Sequence, residues 1–346
     1  RFPIDEVPIG FVTNGIHTPS WISEPAEKLW NQYFDLSHTC AAPHSIDPKM
    51  CRASDAQIWA MRNEARRSMI LYGRKRLSLI LAARGASKEA VERVKSHFDP
   101  QVLTLGFARR FATYKRPNML LSDPERLLRI LTHPVRPVQL LIAGKAHPAD
   151  EPGKAMIREW VQFMRRPEVR SRAFFLTDYD MLMAEKLVQG VDVWINMPRR
   201  PWEACGTSGM KVLANGGLNL SELDGWWAEA YRPEVGWALG DGLEHGDDPE
   251  WDAREAEQLY SLLEEQVIPE FYQRNAEGIP EAWVQRIRSS MLQLTPTFCA
   301  HRAVRSYAEE YYFPAAERSR KRLANRCALG KEIARCRQLW QTLSSA

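Results

Sequence analysis

The residue types with the clearest chemical potential lie together at residues 203–211, which read Glu-Ala-Cys-Gly-Thr-Ser-Gly-Met-Lys. The small residues predict a turn leading into a helix over about 206–214, and N–H groups at a helix start bind anions. Lys211 lies early in that helix, where an amine can form a Schiff base with an aldehyde. Thr207, four residues earlier, would share its face. These features suit a phosphorylated aldehyde such as pyridoxal phosphate, but a Gly-rich turn with a solvated lysine gives the same pattern.

A second group of candidate residues follows an apolar run. Residues 102–108 are uncharged and β-prone, which predicts a buried strand. Four cations come directly after it: Arg109, Arg110, Lys115 and Arg116. Ligands of open α/β sheets bind just outside the carboxyl ends of the strands, and clustered cations need an anion to neutralise them. The sequence therefore favours an anion site over a solvated basic loop.

Alternating strands and helices must position these residues. Strands are predicted at 102–108, 138–143, 172–177, 191–196 and 217–221, with helices at about 117–132, 151–166, 179–189 and 206–214. This alternation is typical of βαβ crossovers and predicts an α/β fold with a doubly wound parallel sheet. Other helices are predicted at about 54–84, 87–97, 249–266, 281–294, 301–312 and 315–344, the first capped by Ser54.

Five segments carry a pattern that goes beyond these elements: residues 12–21, 106–116, 142–148, 175–180 and 203–225. In order and spacing they resemble the α-glucan (glycogen, starch or maltodextrin) phosphorylase family, over about residues 1–315. The resemblance implies the Rossmann-like C-terminal lobe of a two-lobed GT-B glycosyltransferase. Where mammalian-type members carry serine, lysine, glutamine and arginine, this chain has Cys205, Arg109, Asn196 and Asp180, which indicates the shorter bacterial branch of the family.

The resemblance also implies roles for individual residues. Lys211 matches the lysine that holds pyridoxal phosphate. The other cofactor contacts would be Gly206, Thr207, Ser208, Tyr179, Arg109, Trp21 and Asn196. Arg110 and Lys115 match the pair that binds substrate phosphate. The reacting glucose would be held by Asn14, Tyr114, Glu203, Cys205 and Gly206, so that the catalytic set is Arg110, Lys115, Lys211 and Glu203.

The reaction implied by the resemblance is reversible phosphorolysis of terminal α-1,4-linked glucose, with retained configuration, to α-glucose 1-phosphate. A glycosidase would use two carboxylates flanking the bond, and no convincing pair is visible in the sequence. Substrate phosphate would therefore donate the proton and then act as nucleophile, with the cofactor phosphate beside it. The implied partners are an α-1,4-glucan and orthophosphate, with no nucleic acid and no membrane, in a possible homo-oligomer.

Composition favours a cytoplasmic enzyme. The chain has 346 residues and a net charge of +4, which is too mild to indicate nucleic-acid binding. No apolar run reaches the length of a membrane span. The six cysteines form no CxxC pair, and the eight histidines lack metal-ligand spacing, so a reduced compartment and no metal site are expected.

Three regions are expected along the chain: a leader with linking helices at 1–100, a Rossmann-like lobe for pyridoxal phosphate and glucose at 101–245, and a helical segment at 246–346. In the family a large lobe precedes the segment at 12–21, so we expect a fragment that turns over slowly or not at all by itself. Two alternatives stay open. One is a nucleotide-sugar glucosyltransferase of the glycogen-synthase type, which uses no pyridoxal; the other is an inactive glucan-binding remnant.

Overall fold

The fold is built on a six-stranded sheet in which every neighbouring pair of strands is parallel. The computed structural model describes residue 7 and residues 9–33, 52–177 and 179–344. The strands are β1 Leu103–Ala108, β2 Val138–Ala143, β3 Ala173–Leu176, β4 Val193–Asn196, β5 Leu218–Glu222 and β6 Gly236–Leu239. They lie in the order β3-β2-β1-β4-β5-β6, the order of a Rossmann-like sheet. The predicted doubly wound parallel sheet is confirmed.

Helices connect and cover these strands. They are α1 Glu24–Tyr33, α2 Asp55–Ala83, α3 Lys88–Val94, α4 Pro124–Leu131, α5 Glu151–Met164, α6 Met181–Gly190, α7 Met210–Leu213, α8 Trp226–Ala230, α9 Pro249–Leu262, α10 Ile268–Tyr272, α11 Glu281–Thr297, α12 Ala300–Ser306 and α13 Phe313–Ser344. Ser54 caps α2 as predicted, in a reciprocal pair of hydrogen bonds with Gln57. None of the described helices combines the length and apolarity needed to cross a bilayer.

Three helix predictions differ from the structure. The helix predicted at 206–214 is a turn at 207–209 followed by the single-turn helix α7. The helix predicted at 117–132 is divided: a 3₁₀ turn covers Met119–Leu121, and α4 begins anew after the cap residue Asp123. The last predicted helix is interrupted at residues 324–327, where three residues have positive φ.

The amino ends of the strands form one edge of the sheet and their carboxyl ends form the other, and the two edges carry different residues. At the amino edge, the buried carboxylate of Asp192 pairs with Arg66, with 2.5 Å between Oδ1 and Nη1. Its other oxygen accepts the N–H of Thr104 at 2.9 Å, which ties β1 to the start of β4. This edge is closed by α2, whose Arg62 and Arg66 are both fully buried. The carboxyl edge, between β1 and β4 where the strand order reverses, carries the predicted site residues.

Candidate functional site

Glu203 is the point where residues from two separate loops meet. The loop after β1 supplies Arg109 and Lys115, and the loop after β4 supplies Glu203. Oε2 of Glu203 lies 2.7 Å from Nη2 of Arg109 and 2.5 Å from Nζ of Lys115. All three side chains are about nine-tenths buried, at 8%, 9% and 10% exposure. The structure thus brings a predicted phosphate ligand, Lys115, against a predicted glucose ligand.

The four cations after β1 do not act as one group. Arg110 is exposed, and Tyr114 lies with its ring centroid 4.8 Å from Nζ of Lys115. Arg116 is buried and pairs with carboxylates of β5 and α9, whereas Arg109 and Lys115 pair with Glu203. The prediction that all four cations wait for an external anion is wrong for Arg116, because the chain supplies its counter-charges.

Lys211 lies against an aromatic ring at the same edge. Its Nζ is 3.6 Å from the ring centroid of Trp21, and burial lowers the pKa of the Lys211 amine. Trp21 is fixed through Asn215, whose Nδ2 donates to the Trp21 carbonyl at 2.9 Å. A half-buried amine with a lowered pKa loses its proton more readily, and only the neutral amine attacks an aldehyde.

The turn before Lys211 presents unpaired backbone donors. Gly206 has φ 82°, a conformation that favours glycine, and its carbonyl accepts the N–H of Gly209 at 3.2 Å. The N–H groups of Thr207 and Ser208 have no backbone acceptor within the described parts of the chain. The Ser208 hydroxyl accepts a hydrogen bond from Nε1 of Trp194 at 3.3 Å. Successive free N–H groups in a turn form a concave donor set for an anion.

Two further predicted cofactor contacts lie at or just beyond the carboxyl ends of strands β4 and β3. Asn196 ends β4 and is 3% exposed, yet its Oδ1 has no hydrogen-bond partner among the described residues. Such a buried orphan acceptor is unusual and is consistent with a ligand that donates to it. Tyr179 is half-buried; burial raises the pKa of its hydroxyl, and the charge of Arg109 opposes that rise. Arg109 therefore lies within electrostatic reach of both Tyr179 and Glu203.

Asn14, near the start of the chain, lies close to Cys205 in the loop after β4. Burial raises the pKa of the Cys205 thiol, and the adjacent backbone and side chain of Asn14 oppose that rise. Nη2 of Arg302 holds the Asn14 segment by donating to the carbonyls of Thr13 and Asn14 at 2.7 and 3.2 Å. The pairing places two predicted glucose contacts side by side.

Comparison with known proteins identifies the family. A family model described as carbohydrate phosphorylase matches residues 74–237, which include β1 to β5 and the turn before Lys211. The chain belongs to the carbohydrate phosphorylase family. It is 42% identical to the glycogen phosphorylase of Mycobacterium tuberculosis over 100% of this chain and 40% of the relative. It is 39% identical to the glycogen phosphorylase of Aquifex aeolicus, over 90% of this chain and 45% of the relative.

A maltodextrin phosphorylase from Thermococcus litoralis is similar at 37% identity, over 90% of this chain and 37% of its own length. The chain therefore spans 37% to 45% of the length of these relatives. Members of the carbohydrate phosphorylase family generally depend on pyridoxal phosphate. The orphan acceptor of Asn196, the free N–H groups of the turn and the half-buried Lys211 amine fit such a group.

One residue of this site escaped sequence reasoning. Asp224 is 8% exposed and accepts the N–H groups of Glu203 and Gly225, each at 2.9 Å, so it fixes the backbone of Glu203. Burial raises the pKa of its carboxyl. The Asp224–Gly225 pair, which begins two residues after the end of β5, was the available signal, since strand ends at this edge carry site residues. Arg116 was predicted as one of four cations at an anion site, but its internal partners were missed, because a sequence does not show which cations have them.

Proposed function

We propose that this chain forms the cofactor- and phosphate-binding lobe of an α-1,4-glucan phosphorylase. Such an enzyme transfers a terminal glucose from the glucan to orthophosphate, reversibly and with retained configuration. The observation that carries the proposal is the environment of Lys211, a half-buried amine with a lowered pKa beside Trp21 and after a turn with free N–H groups. That environment suits attachment of a phosphorylated aldehyde.

Several other residues would hold pyridoxal phosphate together with Lys211. The turn N–H groups of Gly206, Thr207 and Ser208 would bind its phosphate, and Asn196 would accept a hydrogen bond from it. Trp21, Tyr179 and Arg109 would complete the walls. When bound, the cofactor supplies a phosphate group that serves as an acid–base partner.

Substrate phosphate needs fixed positive charge, because two phosphates side by side repel each other. Arg109, Arg110 and Lys115 supply three charges, and Glu203 neutralises one of them. The remaining charge of +2 matches a phosphate dianion. Arg110 is exposed and Lys115 is nearly buried, so the pair would contact the phosphate from the solvent side and from the protein side.

The glucose would be oriented by Asn14, Tyr114, Glu203 and the Cys205–Gly206 backbone. A glycosidase mechanism lacks support at this edge, because Glu203 is neutralised by two cations and Asp224 is committed to backbone N–H groups. Orthophosphate would therefore give its proton to the leaving glucan oxygen as the C1–O4 bond breaks. A phosphate oxygen would then bond to C1, which yields glucose 1-phosphate.

The experiment is to incubate the chain with pyridoxal phosphate, reduce with borohydride and map the modified lysine by mass spectrometry. We expect a near-ultraviolet cofactor band and one dominant adduct at Lys211. Lys211→Ala should abolish both, and the matched control Lys28→Ala, at an exposed lysine, should change neither. Modification spread over surface lysines, with no preference for Lys211, would overturn the proposal and favour the nucleotide-sugar transferase alternative.

Turnover is measured separately. Cofactor-loaded protein is assayed for phosphate-dependent release of glucose 1-phosphate from glycogen and from maltodextrin. Loss of release in Lys115→Ala, with the adduct at Lys211 intact, would separate phosphate binding from cofactor binding. Glucan retention without any phosphate dependence would instead support the glucan-binding remnant.

A further inference from the structure

Arg116 directly follows Lys115, and all three nitrogens of its guanidinium donate hydrogen bonds. Its Nε donates to the carbonyl of Met197 at 2.9 Å, and its Nη2 donates to the carbonyl of Pro198 at 3.0 Å. Nη2 also lies 3.1 Å from Oε2 of Glu222. Nη1 donates to Asp252 at 2.9 Å and to Glu255.

These contacts join three parts of the carboxyl edge. Met197 and Pro198 follow β4, Glu222 ends β5, and Asp252 with Glu255 lies on α9. The planar fork of arginine suits this task, because several fixed acceptors can be bound without rotating the side chain. Arg116 thus connects the loop after β1 to the segment after β4, to the end of β5 and to α9.

The backbone at Arg116 is also unusual. Its φ of 44° and ψ of 49° are left-handed, which costs about 1–2 kcal/mol for a residue with a side chain. The turn Thr113–Lys115 ends at this residue, and Lys115 projects from it toward Glu203. A side chain with five hydrogen-bonded contacts is what keeps this conformation in place.

We infer that Arg116 is a positioning residue that sets where the Lys115 ammonium stands for substrate phosphate. The inference rests on the proposed function. Arg116 itself would not contact the substrate, since all its guanidinium nitrogens donate to acceptors within the chain. Burial and the neighbouring Glu255 raise the pKa of Glu222 to about 9. With Glu222 neutral, the carboxylates of Asp252 and Glu255 are balanced by Arg116 and by Arg199, which also pairs with Asp252.

The test measures how Lys115 reacts with limiting acetic anhydride, by mass spectrometry, relative to Lys28. Lys28 is an internal reference because its side chain is 74% exposed. The variants are Arg116→Gln and the milder Asp252→Asn. A third variant, Arg116→Lys, tests whether a positive charge alone restores the slow labelling of Lys115. The matched control is Arg66→Gln, which removes a fully buried arginine at the opposite edge of the sheet.

In the parent chain we expect Lys115 to react about tenfold more slowly than Lys28, and orthophosphate to protect it further. Arg116→Gln and Asp252→Asn should raise the Lys115 to Lys28 ratio roughly threefold or more and remove phosphate protection, since an ångström-scale displacement is enough to lose an aligned contact. Arg116→Lys should recover only part of the effect. Arg66→Gln should lower the unfolding temperature and leave the ratio unchanged.

Unchanged labelling and protection in Asp252→Asn and Arg116→Gln would overturn the positioning role. An equal rise in Arg66→Gln would also overturn it, because general loosening would then explain the effect. Failure of orthophosphate to protect Lys115 in the parent chain would instead count against the proposed function itself. The two failures are therefore distinguishable.

Discussion

Glu203 holds two cations that would otherwise be buried without a counter-charge. Arg109 and Lys115 both reach the same oxygen, Oε2, at 2.7 and 2.5 Å. The cost of removing one member of such a buried cluster comes mainly from the charges left behind. Glu203 therefore contributes to stability as well as to the proposed sugar site.

Glu203→Gln should lower the free energy of unfolding by about 3 kcal/mol, because Arg109 and Lys115 lose their common carboxylate. Orthophosphate should restore part of the loss by taking the place of that charge. Urea unfolding with and without orthophosphate measures both effects. Glu257→Gln is the control, since Glu257 pairs with Arg126 at the surface and is 64% exposed, so its loss should cost under about 1 kcal/mol. Equal losses in the two variants would contradict the argument.

Asn196 shows the opposite relation between stability and function. Its buried Oδ1 has no partner among the described residues, so it lost water on folding without gaining a hydrogen bond. Asn196→Leu should raise the free energy of unfolding by about 1 kcal/mol while weakening pyridoxal phosphate binding. Thermal unfolding and the cofactor absorbance band measure the two effects. A variant that is both less stable and unchanged in cofactor binding would show that Asn196 is structural only.

The sequence reveals residue types better than their pairings. The predicted sugar ligand Glu203 and phosphate ligand Lys115 do come together. The competition of Arg109 for the same carboxylate oxygen could not be predicted, because it depends on how two distant loops are folded. Arg116 shows the same limit, since its partners come from β5 and α9.

At the scale of elements, the two loops that bear Arg109 and Lys145 are in backbone contact. Gly144, with φ 153°, lies where they meet, and a Cβ there would stand 2.0 Å from the carbonyl oxygen of Arg109. The N–H of Phe111 donates to the carbonyl of Lys145 at 3.0 Å, which pins the loops together. The position of the loop that bears Arg109 thus depends on the absence of a side chain at Gly144.

Gly144→Ala should lower the free energy of unfolding by about 3 kcal/mol, since the added carbon must displace backbone. The matched control Gly246→Ala also has positive φ, at 62°, but has no atom within 4 Å of the added carbon. It should cost only about 1 kcal/mol. Denaturant unfolding measures both. Equal costs would mean that backbone conformation, and not the approach of Arg109, determines the effect.

Elements with continuous apolar runs are the ones the sequence predicts well. All six residues are buried in both β1 and β2, and the predictions for these strands agree to within a residue. The strand β6 was missed because Gly236–Leu239 is short, begins with glycine and is an outermost strand of the sheet. The helix predicted at 206–214 was too long, because the glycines at 206 and 209 favour a turn.

At the scale of the whole molecule, buried arginine–carboxylate clusters close both edges of the sheet. Asp192 with Arg66 ties the amino edge, and Arg116 with Glu222 and Glu255 ties the carboxyl edge. The second cluster contains a carboxyl with a strongly raised pKa. The pKa of Glu222 is raised from 4.5 to about 9 by burial and by the adjacent Glu255. The stability of the molecule should therefore depend on pH through this group.

The direction of this pH dependence follows from proton binding by Glu222. Between pH 4.5 and about 9 the folded state keeps a proton on Glu222 that the unfolded state has released. The contribution of Glu222 to stability is full below pH 4.5 and is lost as the pH rises through about 9. One proton limits the slope to about 1.4 kcal/mol per pH unit.

Glu222→Gln should remove that slope, because the amide imitates the protonated acid and does not titrate. We expect the variant and the parent chain to be similarly stable near pH 4.5, and the advantage of the variant to grow toward pH 9. Urea unfolding at half-unit pH intervals measures the difference. Glu257→Gln, at an exposed carboxylate whose pKa is lowered by Arg126, should show no such growth. A Glu222→Gln difference that stays constant across this range would mean that Glu222 is ionised in the folded molecule, with Arg116 as its counter-charge.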